Sequence, residues 1–192
     1  MTDAIHLFVT ADDRTGALEV GGALASETVT VPVGPFAESS TCCVVDLVSR
    51  HVSAAAAFEI TRRAHDREAA FRSHKMDSGL RGNWPAEISA LLALGHKVAV
   101  VPSFPDAGRR CKDGVVYIQD VPVLESPFAA DPLNAPVSSK PVEVLEAAGC
   151  TGDVVVWDAN DNDELAAAIS RCHQESRVLV GPTGAVAGFA AT

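Results

Sequence analysis

Ile5-His6-Leu7-Phe8-Val9-Thr10-Ala11-Asp12-Asp13-Arg14-Thr15-Gly16 is the stretch on which the fold turns. Its first six residues form an apolar run that reads as a buried strand. The apolar positions Ala17, Leu18, Val20 and Leu24 predict a helix from Thr15 to about Ala25. Two adjacent carboxylates therefore stand where a strand gives way to a helix.

The same alternation continues outward. Thr28 to Val33 and Cys42 to Val45 read as short strands, and Ser53 caps an alanine-rich helix running towards Phe71, with a short strand near Arg72 to Lys75. Pro85 lies near the first turn of a helix that continues to Leu94, ends at Gly95 and precedes the strand Lys97 to Val101. Val115 to Ile118 and Val121 to Leu124 are expected to pair as a hairpin across Gln119-Asp120. The proline-studded Pro122 to Pro141 excludes a central strand or a long helix; connections of that length serve as lids, binding loops or disordered stretches, and Phe128, Asp131 and Pro132 are the residues able to order it. A helix from Pro141 to Ala148, strand Val154 to Trp157, helix Asn162 to Cys172, strand Val178 to Val180 and a final helix near Ala185 to Ala190 complete the pattern. Strands separated by helices predict a three-layer α/β fold, a mostly parallel sheet with helices on both faces and ligands at the carboxyl ends of its strands.

Composition narrows the function classes. With 192 residues, 47% of them hydrophobic, the chain is expected to form one soluble globular domain over residues 1–192. Fifteen basic against 25 acidic side chains, a net charge of -10, argue against nucleic acid or an anionic membrane as partner, so an anionic ligand must be caught by a few placed cations. No apolar run reaches the roughly 18 residues of a membrane span, and Met1-Thr2-Asp3 opens without a signal-peptide core, so the expected location is the cytoplasm. The five cysteines read as small buried thiols, and the six histidines show no zinc-type spacing. No internal repeat, Walker-type loop or dinucleotide fingerprint occurs.

Four clusters carry chemistry. Asp12 and Asp13 can hold a hydroxyl or a cation or act as a general base; helix capping accounts for one of them and leaves the other without a structural task. Lys75-Met76-Asp77-Ser78-Gly79-Leu80-Arg81-Gly82-Asn83 gathers two cations, a carboxylate, a hydroxyl and an amide around two glycines that permit close backbone approach, the pattern of an anion site. Pro102 to Arg110 is a turn-rich loop with two arginines beside it, including Phe104, Gly108 and Arg109. Asp46, Ser49 and Arg50 follow the third strand, with structural and functional roles equally open. A response-regulator receiver with Asp46 as acceptor is disfavoured, because Lys97 stands at the wrong end of its strand and the chain is too long for that fold alone.

Together these motifs resemble the four-carbon acid sugar kinase family, in its N-terminal substrate-binding domain. Ala11 to Gly16 is similar to the family's first-strand signature, Asp46 with Ser49-Arg50 to its Asp-Ser-Arg motif, Lys75 to Asn83 to its Lys-x-Asp-Ser-x-x-Arg-Gly-Asn element, and Pro102 to Arg109 to its Pro-x-Phe-Pro-x-x-Gly-Arg loop. Pro122 and Phe128 to Leu133 follow its long connection. The resemblance implies phosphorylation of a small anionic sugar acid such as threonate, erythronate or 3-oxo-tetronate. Asp12 and Asp13 would contact or deprotonate the acceptor hydroxyl, without a division of base and orienter between them, while Lys75, Arg81 and Arg109 would hold the substrate carboxylate or migrating phosphate. Arg14, Thr15, Gly16, Asp46, Ser49, Arg50, Asp77, Ser78, Gly82, Asn83, Phe104 and Gly108 would line the substrate site.

ATP and Mg are expected for the family reaction, bound mainly by a glycine-rich C-terminal domain that this chain lacks, or by a separate ATP-binding partner. Gly181-Pro182-Thr183-Gly184 stands in place of the family's Gly-Ser-Ala-Gly turn, its proline removing one amide donor, and Leu47 and Val48 replace more polar residues. A non-catalytic sugar-acid-binding module and a degenerate kinase remnant are the alternatives, and homo-oligomerisation is left open.

Overall fold

The structure, a computed structural model, describes residues 5–36 and 40–191. Seven strands form one parallel sheet: β1 (Leu7–Ala11), β2 (Val33–Gly34), β3 (Cys42–Asp46), β4 (Phe71–Lys75), β5 (Val98–Val100), β9 (Val154–Val156) and β10 (Val178–Gly181), in the order β2-β3-β1-β4-β10-β5-β9. A second, antiparallel sheet joins β6 (Arg109–Lys112), β7 (Val115–Ile118) and β8 (Val121–Pro122). The helices are α1 (Arg14–Leu24), α2 (Ala54–His65), α3 (Trp84–Ala93), α4 (Pro141–Ala147), α5 (Asn162–Gln174) and α6 (Thr183–Ala190).

Strand side chains alternate between two cores, as a pleat with a period of two requires. Leu7, Val9, Ala99 and Leu179 face α1, α5 and α6, where they pack with Ala17, Val20, Ile169, Val186 and Phe189. Val98, Val100, Val178 and Val180 face the other way, towards Ile88 and Leu91 of α3 and Val144 and Leu145 of α4, while Phe8, Cys43 and Val45 meet Ile60 and Ala64 of α2. Each buried aliphatic side chain contributes about 1.5 to 3 kcal/mol. The small sheet closes one end of the second core through Cys111, Val116 and Ile118, beside Met76 and Leu80. That contact brings β6 to the carboxyl ends of the large sheet.

The predicted three-layer α/β architecture is the observed one, and several boundaries move. The expected strand over Thr28 to Val33 is reduced to Val33–Gly34. The helix expected to run towards Phe71 stops at His65, because Ala70 and Phe71 donate their amides to the Ile5 and His6 carbonyls and so join β1. The predicted hairpin forms, and β6 extends it through Asp113-Gly114, both at positive φ (52° and 73°), the geometry of a tight primed turn. Single 3-10 turns at Val123–Glu125 and Pro127–Ala130 order the long connection. The five cysteines are free thiols, with Cys43, Cys111 and Cys172 buried. Among the described residues no helix is long and apolar enough to cross a membrane.

Candidate functional site

Every strand of the large sheet is parallel, so all carboxyl ends share one edge. There β1 and β4 lie side by side, yet the helices that follow them leave to opposite faces, α1 to one and α3 to the other. Such a divergence opens a crevice at the strand ends. Asp12 and Asp13 enter it from β1, Lys75 and Asp77 from β4, and Ser49 and Arg50 from the turn after β3.

Arg50 stands at the centre. Its Nε donates to Asp12 Oδ2 at 2.7 Å and its Nη2 to Asp12 Oδ1 at 3.0 Å, while its Nη1 donates to Asp13 Oδ2 at 2.8 Å. Asp77 Oδ1 lies 3.6 Å from the same guanidinium. Lys75 Nζ sits 3.9 Å from Asp12 and 3.8 Å from Asp13, its end packed against Gly16 so tightly that a Cβ there would meet Nζ at 2.4 Å. The two adjacent aspartates differ in environment: Asp12 is 1% exposed, whereas Asp13 is 22% exposed and caps α1 by accepting the Gly16 amide at 2.9 Å. Burial pushes the Asp12 carboxyl above its usual range against the opposing pull of Arg50 and Lys75.

Asp77 and Arg81 form the second layer. Arg81 donates through Nε and Nη2 to the two Asp77 oxygens at 2.9 and 2.8 Å and through Nη1 to Asp131 Oδ2 at 3.0 Å. Burial acts to raise the Asp77 carboxyl, but the Arg81 hydrogen bonds and the Arg50, Arg81 and Lys75 charges outweigh it and hold it below the usual range. Phe128, from the long connection, lies under the Arg81 guanidinium at 4.7 Å and 5.9 Å from that of Arg109. Among the described residues, the Arg109 side chain meets the Ser78 hydroxyl, the Ala107 carbonyl and the Phe128 ring, and no carboxylate. It is the cation of the cluster left available to an anion.

Other expected site residues take different positions. Arg14 is 80% exposed and reaches Asp46 Oδ2 at 3.4 Å, and Asp46 also accepts the Val48 amide. Thr15 is exposed at the start of α1. The Ser49 hydroxyl turns inward to donate to Glu87, and the Asn83 amide holds the Ser49 and Val52 carbonyls, each at 2.8 Å. Gly82, at a φ of 86°, lies under the Arg50 side chain, where a Cβ would come within 2.9 Å of Arg50 Cγ. Phe104 packs on Gly184 at the start of α6, and Gly108 is the left-handed end of a 3-10 turn. Sequence reasoning missed Thr10, His74 and Glu87, which form a buried polar chain beneath the site. Their signal was a glutamate on the apolar stripe Trp84, Ile88, Leu91 of α3.

Known proteins share this fold. The chain is 32% identical to a D-threonate kinase of Bordetella bronchiseptica over 96% of its length and 55% of that protein's. It is 33% identical to a 3-oxo-tetronate kinase of Methylobacterium radiotolerans over 74% of its length and 38% of that protein's. The chain thus spans about half the length, or less, of these curated relatives. A crystal structure from B. bronchiseptica of a domain of unknown function, a domain-swapped dimer with bound citrate, superposes with a TM-score of 0.85 at 27% identity, covering 96% of this chain and 55% of that one. A Haemophilus influenzae protein at 21% identity shares the fold, with a TM-score of 0.83. The profile of the sugar-binding N-terminal domain matches residues 7–181, and the chain belongs to that family.

Proposed function

We propose that this chain is the sugar-acid-binding part of an ATP-dependent four-carbon acid sugar kinase, with residues 1–192 acting as one substrate-binding domain. The observation that carries the reading is that the carboxyl edge of the large sheet carries both a partly exposed carboxylate on a fixed helix cap, Asp13, and, on the adjoining β6, a cation that has no carboxylate partner among the described residues, Arg109. A hydroxy acid needs those two functions, an acceptor for its hydroxyl proton and a donor fork for its carboxylate. Asp13 meets the acceptor hydroxyl. Asp12, buried and doubly bonded to Arg50, orients the guanidinium that in turn holds Asp13. Lys75 and Arg109 supply positive charge for the acid, and Arg81, already bound to Asp77 and Asp131, shapes the wall rather than taking the ligand as its first partner.

These residues present no prepared site for Mg-ATP. Among the described residues no three His, Cys, Asp or Glu side chains converge to hold a metal, and Asp12, Asp13 and Asp77 are already engaged by arginines. No step is therefore derived through the nucleotide; in this reading ATP and Mg are bound outside these residues, in a further segment or a separate chain. The kinase names of the relatives support the reaction class. A cytoplasmic location belongs to the same reading. So does a homo-oligomer, for which the domain-swapped relative is the precedent.

The test is thermal denaturation of the chain with D-threonate, erythronate and 3-oxo-tetronate, each with and without Mg-ATP. An acid at a hundred times its Kd adds about 2.7 kcal/mol and raises Tm by roughly 5 to 10 °C at this size. Arg109→Ala is expected to remove most of that shift. Asp13→Asn is expected to keep it and to abolish turnover once a nucleotide-binding partner is supplied. A flat response to every acid defeats the proposal; saturable binding with no ADP formed alongside any partner would instead favour a binding module.

A further inference from the structure

Beneath the crevice, on the α2 and α3 face of the sheet, five side chains with hydrogen-bonding groups form a continuous line. His65 Nε2 and His74 Nδ1 each lie 2.8 Å from Thr10 Oγ1, His74 Nε2 lies 2.9 Å from Glu87 Oε2, and the Ser49 hydroxyl donates to Glu87 Oε1. Thr10, Ser49, His74 and Glu87 are 0% exposed and His65 2%. A buried carboxylate in an otherwise apolar layer is costly, so its retention asks for a task.

The direction of the line follows from counting hydrogens. Thr10 has one hydroxyl proton and two imidazole nitrogens beside it, and if both rings donated the buried hydroxyl proton would lack an acceptor among the described residues, so one ring donates to it and the other accepts from it. Burial holds His65 well below its ordinary pKa, so it carries a single ring proton. Were that proton on Nδ1, it would be a buried donor with no partner among the described residues, a rarer and costlier state than a bare acceptor. It therefore sits on Nε2 and points at Thr10. Thr10 then donates to His74 Nδ1, and His74 offers its Nε2 proton to Glu87, which receives a second proton donor from Ser49. The Ser49–Arg50 turn is held on its other sides by the Asp12 carbonyl, which accepts both backbone amides, and by the Asn83 amide.

We propose that Glu87 is a positioning residue for this site: fixed by His74, it locks the Ser49–Arg50 turn through the Ser49 hydroxyl and so sets the guanidinium that clamps Asp12 and Asp13. It touches no substrate in this arrangement. The inference about Arg50 does not depend on the kinase reading; only its kinetic consequence does.

The test uses the whole chain labelled with 15N. Long-range 1H–15N spectra are expected to show His74 protonated on Nε2 with Nδ1 as acceptor; a proton on His74 Nδ1 overturns the direction of the line and with it the proposal. Exchange of the Arg50 Nε proton with solvent is then measured in Ser49→Ala and Glu87→Gln, with Ser89→Ala as the control, since Ser89 on the same helix donates to the Pro85 carbonyl instead. Losing a hydrogen bond to a charged group predicts exchange about 10- to 100-fold faster in the first two variants and unchanged in the third. Ser49→Ala removes a single oxygen, so it reports even where Glu87→Gln fails to fold. Unchanged Arg50 exchange in folded Ser49→Ala overturns the proposal. With a nucleotide-binding partner, kcat falls in the same variants while KM for the acid stays within about twofold. Faster Arg50 exchange in a chain that binds no sugar acid would sink the kinase reading and leave the role of Glu87 intact.

Discussion

The two faces of the large sheet differ in how they are held. Towards α1, α5 and α6 the centre is apolar, built on Val9, Ala99 and Leu179. Towards α2 and α3, Val98, Val100 and Val180 keep β5 and β10 apolar, but Thr10 on β1 and His74 on the adjacent β4 are polar, and α3 adds Glu87. The contrast lies directly below the crevice, where a sheet that needed only to be stable would have buried more valine. One face supplies stability that tolerates gradual change, and the other carries directional bonds in which each member depends on the next.

Removing Arg50 should break this comparison most sharply. Arg50→Met leaves Asp12 buried without its main partner and is expected to cost about 3 to 5 kcal/mol, measured by urea unfolding at pH 7. The loss should shrink as pH falls, because an unpaired Asp12 is relieved by protonation. Val9→Ala, on the apolar face, is expected to cost about 2 to 3 kcal/mol, equal at pH 5 and pH 7. Equal pH dependence of the two variants would erase the distinction between the faces.

A smaller effect sharpens it. His65 has a folded pKa depressed below its ordinary value of 6.5, so below that pH the unfolded chain binds a proton that the folded chain refuses. Stability is thereby full above about pH 6.5 and declines as pH falls towards the folded pKa, by at most about 1.4 kcal/mol per pH unit for one proton. Replacing His65 with Gln should flatten that slope in a series of urea titrations between pH 7 and 5. Smallest of all, Lys97→Met removes an exposed pair with Asp153 at 4.0 Å and should change stability by less than about 0.5 kcal/mol. A larger loss there would mean that surface charge matters more to this acidic chain than either face suggests.

The sheet was legible because parallel strands buried on both sides appear as apolar runs, and Leu7 to Ala11, Val98 to Val100 and Val178 to Gly181 do. Arg109–Lys112 was not, since Arg-Arg-Cys-Lys has no apolar alternation and becomes a strand only by pairing with β7 across Asp113-Gly114. Thr28 to Val33 looked like a strand, yet it meets β3 only at its end, where the Pro32 carbonyl accepts the Val44 amide and Val33 pairs with Val44. The strand-end clusters were legible because chemistry and position coincide in sequence, and the fold brings Asp12, Asp13, Arg50, Lys75 and Asp77 to one crevice. Pairings between clusters were not: nothing local to Arg81 says that Asp131, fifty positions away, occupies one of its amines. The buried line beneath them needs the register that sets Thr10 beside His74.

The position of β10 has a consequence for how the protein is made. Among the described residues it follows every other strand in sequence, yet it lies near the middle of the sheet, hydrogen-bonded to β4 on one side and β5 on the other. A nascent chain emerging from the ribosome can assemble β1, β3 and β4 as one group and β5 with β9 as another, but no backbone hydrogen bonds link the two groups of strands until residues 178–181 are free of the exit tunnel. Until then two open strand edges, β4 and β5, await a partner, the kind of surface that engages chaperones. Truncation before Val178 should therefore yield an insoluble chain, whereas loss of residues after Ala190 should not.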